Sequence, residues 1–91
     1  MNAARGEVAV KVADAVVPIC LTLGGLAELE QLFGCASLSD LQLRMRHLSA
    51  AELIEVLQVL VRGAGGAQSV ERVSPSEAAR AIAEAFRAAL G

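Results

Sequence analysis

Apolar and polar residues alternate over Glu7-Val8-Ala9-Val10-Lys11-Val12, which puts Val8, Val10 and Val12 on one face. A period of two in β-branched residues predicts a strand. Ala13-Asp14-Ala15 reads as a tight turn, with Asp14 as the residue that tolerates it. The chain continues extended from Val16 to Leu23, where Val17, Ile19, Leu21 and Leu23 alternate against Val16, Pro18, Cys20 and Thr22. Pro18 has no N–H to give to a ladder, so its strand belongs at an edge. Two strands alone are marginal in water, so the apolar face of this hairpin must rest on helices or on another copy.

Beyond Thr22, a reasonable N-cap, the period lengthens to that of a helix. Leu26, Leu29, Leu32 and Phe33 share a stripe, and Gly34 stands where a left-handed C-terminal cap is expected. Ser37 with Asp40 opens a short second helix carrying Leu38, Leu41 and Met45. Arg44, Arg46 and His47 fall at its end, where positive charge suits the helix dipole. Ser49 and Glu52 form a capping box for a third helix, whose stripe is Leu53, Val56, Leu57, Leu60 and Val61 with Ile54 alongside. Arg62-Gly63 is its stop signal. A flexible glycine-rich connector follows, and Ser74, Pro75 and Glu77 start the last helix. Its inner face is Ala78, Ile82, Phe86 and Leu90, with Arg80, Glu84 and Arg87 in water and an alanine-rich flank that admits a close neighbour. The pattern predicts an α+β fold, an N-terminal β-hairpin packed on a small bundle of about four helices. It forms a single domain over 1–91: a frayed N-terminus at 1–6, hairpin at 7–23, three helices within 24–62, linker at 63–73 and C-terminal helix at 74–90.

Composition sharpens this picture. In 91 residues, 55% are hydrophobic and mean hydropathy is +0.54. A domain this small has little interior, so some of that surface stays exposed unless a partner covers it. A homo-oligomer or a protein partner is therefore expected. Net charge is −2 with the signs interspersed, and the only aromatic residues are Phe33 and Phe86. Neither a basic face for phosphates nor a stacking platform for bases is evident, which argues against nucleic acid and against a small helix-turn-helix regulator. No apolar run reaches membrane-spanning length, so no membrane association is expected. Glu7 and Lys11 interrupt any signal-peptide pattern, and the chain reads as cytoplasmic.

Candidate chemistry is sparse. His47 is the only histidine, and it sits beside two arginines without an orienting partner. Cys20 and Cys35 are too far apart for a metal or redox motif and read as buried, reduced thiols. The Gly63–Gly66 run lacks the Lys-Ser/Thr of a phosphate loop. Ser37, Ser49 and Ser74 all precede helices, where capping explains them. No catalytic, cofactor-binding or metal-binding residues are assigned, and the expectation is a protein that is not an enzyme. Partner contact falls instead to the basic Arg44 and Arg46 and to the apolar Ile54, Ile82 and Phe86.

Several short segments carry a resemblance in order and spacing: Arg5-Gly6-Glu7-Val8, Leu21-Thr22-Leu23-Gly24, Leu26-Ala27-Glu28-Leu29-Glu30, Ser37-Leu38 with Leu41, Ala51 with Leu53, and Val61-Arg62-Gly63. Together they resemble the short tail assembly chaperones of gene transfer agents and phages. The chain departs from that pattern at Gly24-Gly25, where the family often has Gly-Ala, and across 63–73. The resemblance implies a non-catalytic role without cofactors: binding the tape measure protein and promoting assembly of the tail tube protein around it. A structural tail component, a tube or adaptor subunit retained in the particle, is the alternative.

Overall fold

A computed structural model describes residues 6–91; the expected fraying of 1–6 falls largely on residues outside that range. Strand β1 (Glu7–Val12) and strand β2 (Ala15–Cys20) form an antiparallel hairpin in the register Val8↔Ile19, Val10↔Val17 and Val12↔Ala15. Helices α1 (Leu23–Phe33), α2 (Leu38–Arg44), α3 (Ala50–Gly63) and α4 (Pro75–Leu90) follow. This is the α+β architecture the pattern predicts. The hairpin turn differs in detail. Its left-handed residue is Ala13, with φ of 54°, and not Asp14. A β-carbon there is disfavoured, which makes the turn a point of local strain.

The inner face of the hairpin lies on two helices, with β1 against α4 and β2 against α3. Val10, Val17 and Ile19 meet Val56, Leu57, Leu60 and Val61 of α3 and Ala81, Ala85 and Phe86 of α4 in one core. The fully buried Ala81 and Ala85 are what let α4 approach so near, and its close neighbours are strand β1 and helix α3. α1 packs on α3 through Leu26 and Leu29, and α2 packs on α1.

The caps behave as polar side chains next to unpaired amides should. Thr22, Ser37, Ser49 and Ser74 accept from the N–H groups of Gly25, Asp40, Glu52 and Glu77. Gly34, at φ 67°, closes α1 with Cys35 N–H donating to Glu30 C=O. At the end of α3 the left-handed glycine is Gly65, at φ 85°, with Gly66 N–H donating to Val61 C=O. Gly63, expected to be the stop, is still helical and serves another purpose: a β-carbon there would lie 2.1 Å from the carbonyl oxygen of Cys20. Its missing side chain is what allows α3 to press on the end of β2.

Other expectations change as well. β2 ends at Cys20, and Leu23 begins α1 with 83% of its surface exposed. Leu32 and Leu90 face water. Val59, not assigned to the stripe, is buried. The connector before α4 is tied into the core by Val70, which is 1% exposed. Both cysteines are half-buried and form no disulfide among the described residues.

Candidate interaction surface

The backbone of α2 packs on α1, and only the Arg44 side chain at its end reaches α3, so a gap opens between its C-terminal end and α4. The gap is an apolar groove of about 390 Å³, walled by Met45, Leu48 and Leu53 on one side and Ile82, Ala83 and Phe86 on the other. Arg46 and Gln42 stand in its lining. The Arg46 guanidinium makes no ion pair or hydrogen bond among the described residues. A smaller depression shares Leu53 and continues along α3, where it is lined by Ile54, Leu57, Val70 and Val73.

Of the residues assigned to partner contact, Arg46, Ile82 and Phe86 are brought together in this groove, and Ile54 lies in the neighbouring depression. Arg44 is placed differently. Its guanidinium pairs with Glu52, donates to the His47 carbonyl and stacks 5.0 Å from the centroid of the Phe33 ring. That combination staples the end of α2 to the start of α3. Glu52 also accepts the Ser49 backbone N–H at 2.9 Å. This bond first, and Arg44 second, hold its carboxyl below the usual range.

A second apolar surface lies at the other end of α4. Leu23, Leu38 and Leu90, all exposed, surround a depression floored by Leu21 and Leu26. The sequence signal for it was the surplus of leucine. Which leucines would share a surface depended on where α2 docks, and that is invisible in a linear pattern.

The strands offer less. Glu77 accepts the Lys11 backbone N–H at 2.9 Å, and Arg80 donates to the Ala9 carbonyl at 2.9 Å. These are the backbone groups of β1 that point away from β2, so α4 occupies the outer edge of β1. Arg80 also forks onto Glu77 and pairs with Glu84. Arg80, then the Lys11 N–H, pull the Glu77 carboxyl down to about 2, and Glu77 in turn holds Arg80 above its ordinary value. On β2, Pro18 has no N–H and the Cys20 carbonyl meets Gly63. Glu77 belongs to the start of α4, where its N–H donates to Ser74, but its side chain reaches across to the strand instead of back to the cap.

No group of three or more potential metal ligands occurs among the described residues, and none of their helices is long and apolar enough to cross a membrane. Comparison with curated proteins found no match, and neither did comparison with solved structures. A family model matches residues 5–91, nearly the whole chain, including the hairpin, the groove and the leucine surface. The chain belongs to the family described as phage tail tube protein, GTA-gp10, and is a phage or gene-transfer-agent tail protein.

Proposed function

We propose that the protein is a non-catalytic structural component of the tail, a tube or adaptor subunit that stays in the particle. The family match over 5–91 carries this reading, since the family description names the tail tube. The arrangement of apolar surface supports it: a subunit with neighbours on more than one side needs separate contact surfaces, and the groove lined by half-buried Met45, Leu48 and Leu53 and the exposed leucines around Leu23 are two such surfaces. Its partners are then the tail tube protein and other copies of itself, met in the host cytoplasm during assembly. Quantitative mass spectrometry of purified particles tests this. Recovery in stoichiometric amounts is expected; absence from finished tails overturns it.

A second reading is an assembly chaperone that holds the tape measure protein soluble and then leaves. The groove between α2, α3 and α4 supports it, because an apolar cleft walled by helices suits a transient helical ligand. Co-expression separates the two. Under this reading the tape measure protein is soluble only when this chain is present; equal solubility without it overturns the chaperone role.

A further inference from the structure

We propose that the groove between the end of α2 and helix α4 is the docking site for a single amphipathic helix of another protein, one whose apolar stripe is flanked by carboxylates. The inference deepens the reading above, that the protein works through contacts, and it holds under either form of that reading.

Three observations lead to it. The first is shape. The α4 wall from Ala79 to Phe86 is about 10 Å long, or two helical turns, which matches a ligand that anchors through side chains at i, i+3 or i+4, and i+7. The second is backbone chemistry. The groove is walled by helices and the turn that follows α2, and the outer edge of β1 is already taken by Glu77 and Arg80. An extended peptide in this cleft would find no strand to pair with, and its own amides would be left without partners. A helix arrives with its backbone bonds already made.

The third observation is charge. The chain as a whole carries more acids than bases, yet the one charged residue lining the groove is Arg46, and it is unpaired among the described residues. Arg87 follows Ala79 and Ala83 at four-residue spacing, so it stands on the same face of α4 just beyond the groove lining, also unpaired among the described residues. The acids of α4 are engaged elsewhere: Glu77 and Glu84 both bind Arg80, beside β1. The rim is therefore cationic against the trend of the molecule, and it complements a helix bearing acids beside its apolar stripe.

The test titrates the isotope-labelled full chain with a synthetic helical peptide of about 14 residues, four turns, carrying a leucine stripe flanked by Glu. A second peptide has Lys at the same flanking positions. At low salt the Glu peptide is expected to bind about tenfold tighter than the Lys peptide, the difference expected of two exposed charge pairs. Chemical-shift changes should centre on Met45, Leu53 and Phe86. Charge reversal at both rim positions, Arg46→Glu with Arg87→Glu, should invert the preference; both residues are exposed, and the amide spectrum reports whether the fold is kept. Ala83→Arg, on an exposed position of the groove wall, should block both peptides. Absence of shifts up to millimolar peptide, equal affinity for the two peptides, or shifts centred on Leu23 and Leu38 would each overturn the proposal. So would self-association that Ala83→Arg abolishes, because a second copy would then be the occupant. Particle composition tests the broader reading independently.

Discussion

Replacing Gly63 by alanine sets two opposed effects against each other in one residue. Gly63 is helical, and alanine in a helix is favoured over glycine by up to about 1 kcal/mol. Its β-carbon, however, would stand 2.1 Å from the Cys20 carbonyl oxygen, where contacts below 3.0 Å are essentially never found. α3 and the end of β2 must separate by about 0.9 Å, and the atom in the way belongs to a strand backbone that cannot swing aside. Overpacking of this kind costs about 1–3 kcal/mol, so the overlap wins and the variant loses about 1–2 kcal/mol net. For a domain of this size, that lowers Tm by about 5–15 °C. Gly24→Ala is the matched control: the nearest atom is the Thr22 hydroxyl oxygen at 3.8 Å, so propensity acts alone and stability rises by about 0.5 kcal/mol. With neither Trp nor Tyr in the chain, far-UV circular dichroism during heating and in urea is the assay. If Gly63→Ala melts at or above the wild-type temperature while Gly24→Ala gains as expected, α3 does not press on β2 and the packing argument fails.

The ion pair on the edge of β1 makes stability depend on acid. The Glu77 carboxyl sits at about 2 in the folded protein against an ordinary 4.5, so its contribution is present above about pH 4.5 and lost as pH falls toward 2. Glu77→Gln should cost about 1–2 kcal/mol at pH 7, discounted for the exposure of Arg80, and urea midpoints of variant and wild type should approach each other below about pH 4.5 and converge only near pH 2. Val70→Ala should cost about 2 kcal/mol in the same urea assay, whereas a flexible linker would lose nothing measurable. Ala13→Gly should relieve the left-handed turn and raise stability by up to about 1 kcal/mol; an unchanged midpoint would mean that the turn is unstrained.

Local rules account for what could be read before the fold was known. Capping chemistry is a matter of neighbouring residues, and Thr22, Ser37, Ser49, Ser74 and Gly34 all sit where their side chains or lack of one predict. The faces of the hairpin followed from period two, and the α3 stripe from its helical period. What was not legible depends on residues distant in sequence. Gly63 looks like a helix stop because glycine often is one; its role becomes visible only when Cys20, forty-three positions earlier, is placed beside it. Val70 lies in a glycine-rich stretch, and nothing nearby signals that the core reaches it. Arg44 and Arg46 are indistinguishable as a basic pair, yet Phe33 and Glu52 claim the first and leave the second at the groove. The groove itself arises because α2 packs on α1 and not on α4, a tertiary choice that residues 38–44 do not encode by themselves.

The side chains of α4 that lie along β1 bear on how the hairpin behaves at high local concentration. Proteins stacked at high local density risk annealing strand to strand, and a short apolar hairpin invites that error. Here one flank of the sheet is plugged by a carboxylate and a guanidinium, and the other is blunted by a proline and by a helix seated on the last carbonyl. If the protein is a tail subunit, as proposed above, contact between copies falls to side-chain surfaces that come apart again, which would let a misplaced subunit leave before the next one arrives.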